Sequence, residues 1–292
     1  MTRMTMQIYC LDTNIFQGLK DTEADNLLAF AQRNAMHFRC TPIVIIEILS
    51  HMKDEYPQTK ASLRRVVTLC CPQDYLLPVP DHQIAIALGL EEHIRPGLKE
   101  SRRALLQGVD VVLKSSSPDD VAINDVCSPD LIGQKLLDND AYKQIRMEYE
   151  PEFINGVNAI AERSKSDYKG RSLALAKAMT STEALVKLIV GLVTRCSDLE
   201  ESEIYDQIPK LAPRLVELEA YCGYYWYIMN HWIDQGRLRD NPYNDLHQLI
   251  YLSIENSYLI TGDKRFVEHV PPSPQRDRIL IWQEVRQRLL SR

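Results

Sequence analysis

The sequence predicts an α/β fold: a mostly parallel sheet flanked by helices, with a large all-α insertion. Three observations predict it. Short apolar runs such as QIYCL (7–11) and YLIT (258–261) alternate with segments whose apolar residues recur at helical spacing. The alternation is found at both ends of the chain, over residues 1–94 and 238–292. Between them, over 95–237, the pattern is helical and holds no convincing strand.

Taken in order, residues 7–11 suit a buried strand. Residues 21–35 suit a helix with Leu27, Leu28, Phe30 and Ala31 at helical spacing, and 37–40 a second strand. Thr41-Pro42 reads as an N-cap followed by proline at the first helical position, where a missing N–H costs nothing. It opens a helix through Ile43, Ile46, Glu47, Leu49 and Ser50. A helix over 59–69, a strand over 75–79 and a helix over 82–92 behind Pro80-Asp81 follow. Near the other terminus, Pro242 starts a helix with Leu246, Leu249, Ile250 and Ile254 on one face. Then come a strand over 258–261, a strand over 278–282 and a closing helix from Gln283. Within the insertion, Ser128-Pro129-Asp130 opens a helix towards Tyr149, and further helices span 172–195 and 208–232.

The chain has 292 residues, enough for one large core or two smaller ones, and its 45% hydrophobic and 25% charged content is that of a globular protein. The first residues lack the apolar core of a signal peptide. The most apolar later run, 185–193, is broken by Lys187 and is too short to span a bilayer. The expectation is a cytoplasmic protein with no membrane partner. Seven scattered cysteines with no CxxC argue against a zinc site or disulfide framework and for reduced, buried thiols. A net charge of -6 counts against a tight, non-specific nucleic-acid coat. It does not exclude a nuclease, whose carboxylates are neutralised by the ion they bind.

Local context singles out four acidic residues. Asp12 follows the run IYCL, and Asp263 follows YLITG, so each lies just past the carboxyl end of a predicted strand. That edge is where open parallel sheets bind ligands. Glu47 lies in the second turn of its helix and Asp245 in the first turn or two of the helix from Pro242. Helix N-termini face the same edge, so all four carboxylates are expected to converge. Converging carboxylates repel and raise one another's pKa values unless a hard cation intervenes. Mg²⁺ or Mn²⁺ prefers such oxygen ligands, lowers the pKa of bound water and neutralises charge developing on a phosphodiester.

The segments LDTNIF, TPIVIIEIL, NDLHQLIYLSIEN and YLITGDKRF resemble the signature segments of PIN-domain proteins, typified by toxin ribonucleases and RNA-processing endonucleases. The resemblance covers residues 7–92 and 238–290 and implies that Asp12, Glu47, Asp245 and Asp263 are the catalytic, metal-holding quartet. It also implies supporting roles for Asn14 and Thr261. The expected function is metal-dependent endonucleolytic hydrolysis of RNA, in a toxin or defence setting. A structure-specific DNA nuclease is the rival enzyme. The rival from another class is an inactive PIN scaffold whose helical insertion binds a protein or a second copy of the chain.

The insertion has no counterpart in the shorter toxin-type members. Its loop SKSDYKGRS offers Lys165, Lys169 and Arg171 as phosphate contacts, and Lys264 beside Asp263 is a fourth candidate. The simpler reading of the basic loop is a solvated face balancing LEESEIYD. Tyr221, Tyr224, Tyr225, Trp226, Tyr227 and Trp232 fit helix packing better than base stacking. His247, two residues from Asp245 and off its face, is expected on the surface, and Asp240 in a loop.

Overall fold

The structure is a computed structural model and describes residues 7–52, 54–70, 75–123, 182–235 and 242–290. Among the described residues four strands form one parallel sheet: β1 (Gln7–Leu11), β2 (Met36–Arg39), β3 (Ser257–Thr261) and β4 (Ile279–Ile281), in the order β2-β1-β3-β4. Leu11 pairs with Ile260 and Thr261 with Ile281, so the carboxyl ends of β1, β3 and β4 lie level.

Helices cover both faces. α1 (Thr13–Gly18) and α2 (Asp21–Arg33) connect β1 to β2, and α3 (Pro42–Ser50), α4 (Tyr56–Leu69) and α5 (Pro80–Leu88) follow. α6 (Gly97–Lys114), α7 (Pro118–Ile123), α8 (Thr182–Cys196), α9 (Glu201–Leu211) and α10 (Glu219–Gln235) occupy the insertion. α11 (Pro242–Leu249), α12 (Lys264–His269) and α13 (Trp282–Leu290) complete the chain. Among the described residues no helix is long and apolar enough to cross a membrane.

Successive strand residues point to opposite faces, and two cores result. Cys10, Leu259 and Ile279 pack with α5 and with Ile189, Leu211 and Tyr224 of α8–α10. Leu11, Ile260 and Phe38 pack on the other face with α1–α4 and with Leu105, Val109 and Val112 of α6. The described insertion helices therefore complete both cores of the sheet. Tyr221 and Tyr224 are buried there, as a packing stripe should be.

Several expected boundaries are corrected. The strand expected over 75–79 is reduced to one parallel bridge, Cys40 with Leu76, beside β2. Proline at 78 and 80 withholds the donors a longer strand needs. The helix expected over 208–232 is three pieces, with a 3₁₀ stretch over Ala212–Leu218 between α9 and α10. Pro209 and Pro213 remove two N–H donors there and force the tighter winding. α6 was not anticipated. The helix expected from Ser128 and the side chain of Trp232 lie outside the described residues, as does Asp240.

The topology selects one place for a site. From β1 the chain leaves towards β2, whereas from the adjacent β3 it leaves towards β4. Neighbouring strands with connections departing in opposite directions leave a crevice at their carboxyl ends.

Candidate functional site

Asp12 immediately follows β1 at that crevice, and its backbone N–H donates to Ile260 O of β3 at 2.9 Å. Its Oδ1 accepts from Thr13 N at 2.7 Å and from Gln248 Nε2 of α11 at 2.9 Å. Its Oδ2 accepts from the Thr261 hydroxyl at 2.8 Å. The same hydroxyl oxygen accepts from Asp263 N at 3.1 Å, so Thr261 links the two strand-end aspartates. A carboxylate offers about four lone-pair sites, and the three donors leave Asp12 a free direction for a ligand.

Glu47 is carried into the crevice by α3, which starts as expected: Thr41 caps Val44 N at 3.4 Å and Pro42 occupies the first turn. Ile43, Val44, Ile45, Ile48 and Leu49 anchor the helix in the core, leaving Glu47 half-buried at its rim. Asn244 Nδ2 of α11 donates to Oε1 at 2.6 Å, and the Thr13 hydroxyl donates to Oε2. Burial, helped by the negative charge of Asp12, pushes the Glu47 carboxyl up to about 7 despite those two hydrogen bonds.

Asp245 is half-buried in the first turn of α11. Asp263 is exposed and caps α12: its Oδ1 accepts from Arg265 N at 2.8 Å and Phe266 N at 3.3 Å. The capping role common for aspartate at such a position is thus present, and it occupies one oxygen of the two. Asp12, Glu47, Asp245 and Asp263 all line one open cleft of about 330 Å³, together with Thr13, Asn14, Gln17, Ser50, His51 and Asn244.

The other expected residues are placed as follows. Asn14 lies over the β3–α12 turn: a Cβ on Gly262 would come within 3.2 Å of Asn14 Oδ1, so glycine permits the close approach. Among the described residues Asn14 makes no hydrogen bond to Asp12. Lys264 is exposed at the start of α12, outside the cleft lining. Lys165, Lys169 and Arg171 lie outside the described residues. The expectation of a surface His247 is corrected: it is 1% exposed, with Nε2 2.9 Å from Arg195 Nη2 and its ring edge-on to Tyr221. Position 247 lies on the face of α11 that packs against α8 and α10, and periodicity around Asp245 alone did not reveal that.

The donor set fits a hard divalent cation. It consists of carboxylate oxygens with amide and hydroxyl supports, the chemistry Mg²⁺ and Mn²⁺ select. Two features mark unspent ligand capacity. Glu47 faces Asp12 with no cation among the lining residues close enough to lower its carboxyl. Gln248 Oε1, buried beside Asp12, has no hydrogen-bond partner among the described residues. A hydrated ion, which commonly keeps several waters beside one or two carboxylates, would answer the first. Among the described residues no group of three or more acidic, histidine or cysteine side chains is spaced to hold a metal ion as it stands. The carboxylates line the cleft with space between them.

Thr13, Gln17, His51, Asn244 and Gln248 were not singled out from sequence. Asn244 and Gln248 are one turn apart and 8% and 3% exposed. Two amides on a buried helix face flanking Asp245 are the signal that would have found them. His51 follows Glu47 by one helical turn. No protein-family model, curated protein or solved structure matches this chain.

Proposed function

We propose that the chain is a Mg²⁺- or Mn²⁺-dependent endoribonuclease of the PIN type, hydrolysing RNA phosphodiester bonds in the cytoplasm. The observation that carries the reading is the gathering of Asp12, Glu47, Asp245 and Asp263 around one open cleft at the switch point of the parallel sheet. A divalent cation held there supplies an acidified water and neutralises charge on the phosphodiester.

The rest of the chemistry belongs to the chain. Thr261 and Gln248 fix the Asp12 carboxylate from β3 and α11. Thr13 and Asn244 fix Glu47 from α1 and α11. Asp263 lines the cleft while its Oδ1 accepts the capping bonds of α12. Orienting donors of this kind typically alter metal affinity or activity by about 10–100-fold when removed. The preference for RNA over DNA rests on the resemblance of the four sequence segments.

Labelled single-stranded RNA, single-stranded DNA and duplexes, incubated with Mn²⁺, Mg²⁺ or EDTA, test the proposal. The expected outcome is metal-dependent cleavage of RNA that disappears in Asp12→Asn while its thermal unfolding remains cooperative. Equal cleavage by Asp12→Asn would overturn the mechanism. Cleavage of DNA alone would transfer the site to the rival substrate, and cleavage of nothing would leave a scaffold.

A further inference from the structure

The cleft carries one imidazole, which the metal reading does not use. His51 lines it, half-buried, from the end of α3. Its backbone is fixed by hydrogen bonds from its N–H to Ile48 O and Leu49 O. Residues four apart on a helix stand about 5–6 Å apart at Cβ, so the imidazole is one turn from Glu47. The neighbouring Ser50 hydroxyl donates to Glu47 O at 2.7 Å, which stiffens that last turn.

The remaining lining side chains are four carboxylates, two hydroxyls and three amides. With the carboxylates committed to an ion, His51 brings the one imidazole among the lining side chains, the group most often used to pass a proton in general acid catalysis. Hydrolysis of a phosphodiester is assisted by such a group, because an alkoxide leaves more readily when it is protonated as it departs.

We propose that His51 is the general acid of the hydrolysis and protonates the oxygen that leaves phosphorus; this rests on the nuclease reading above. Water oxygen bonds to phosphorus and releases its proton to solvent. The bond from phosphorus to the leaving oxygen breaks, its electron pair stays on that oxygen, and the imidazolium proton neutralises it. Solvent then returns a proton to the imidazole.

A substrate whose leaving group needs no proton separates this role from packing or binding. Wild type, His51→Ala and His51→Gln are assayed with Mn²⁺ on single-stranded RNA and on bis(p-nitrophenyl) phosphate, whose nitrophenolate departs unprotonated. RNA cleavage is expected to fall about 100-fold or more in both variants, within the usual range for a general acid. Hydrolysis of the nitrophenyl ester stays within about threefold, and added imidazole restores RNA cleavage by His51→Ala. Fluorescence polarisation of a phosphorothioate oligoribonucleotide in EDTA, which needs no turnover, is expected to change little. Equal losses on both substrates, unchanged RNA cleavage, or a loss of RNA binding that accounts for the loss of rate would each overturn the proposal. In those cases the wild type remains a nuclease. A wild type that cleaves neither substrate removes the nuclease reading and His51's role together.

Discussion

Glu47 sits where burial and the neighbouring Asp12 both oppose its charge, so its carboxyl holds a proton up to about pH 7. The ordinary value is 4.5, and the direction of this shift has a consequence for stability. Between those two values the folded chain binds a proton that the unfolded chain has released. Stability contributed by this group therefore declines as pH rises through the window, by about 1.4 kcal/mol per pH unit for one proton. In EDTA, wild type is expected to lose stability between pH 5 and pH 7 relative to Glu47→Gln, whose amide accepts no proton there. Urea unfolding of both proteins across that range checks it, and parallel pH profiles would remove the assignment. The same desolvated carboxylate is what a divalent cation stabilises, so Mn²⁺ is expected to flatten the wild-type profile.

α5 illustrates how an element is ended by conformation and packing together. Gly89 closes it at φ 74°, in the left-handed region, and its N–H returns to Ile86 O at 3.0 Å. A Cβ there would meet Arg214 Nη1 at 2.7 Å, and Arg214 Nε donates to Ala87 O at 3.2 Å. Gly89→Ala is expected to lower stability by about 1–2 kcal/mol, from the left-handed backbone of a non-glycine residue and the displaced guanidinium. Urea denaturation measures it, and an unchanged midpoint would refute it. Such local signals made much of the architecture legible. The apolar runs marked β1, β2, β3 and β4, and Thr41-Pro42 marked the start of α3 within a residue. They also put Asp12 and Asp263 at strand ends, because that placement depends only on neighbouring residues. Contacts between distant segments were not legible. Thr13 reaches Glu47, and Gln248 reaches Asp12, across separations of 34 and 236 residues, which no local pattern encodes. His247 was misplaced for the same reason: it is buried against Arg195 of α8 and Tyr221 of α10, from elsewhere in the chain.

The three parts of the sequence are tied together at Arg195. It belongs to α8 in the insertion, and Nη2 donates to Asp81 Oδ1 of α5 at 2.6 Å while standing 2.9 Å from His247 Nε2 of α11. α11 also carries Asn244, Asp245 and Gln248, so the helix that orients Glu47 and Asp12 is itself braced against the insertion. Arg195 is 37% exposed and Asp81 28%, so solvent screens the pair and its Coulombic part is small. The buried imidazole of His247 is the costlier loss, because removing its neighbour takes a donor from a site that water does not reach. Arg195→Met keeps the aliphatic stem and removes the donors. It is expected to cost about 1–2 kcal/mol of stability and to raise hydrogen exchange in α11 above that in β1. Asp81→Asn alone should cost less, and the double variant should be less destabilised than the sum, since both act through one guanidinium. Strict additivity would show that the insertion is merely attached to the sheet. Coupling, with exchange concentrated in α11, would show that residues far outside the cleft hold two of its carboxylates in register.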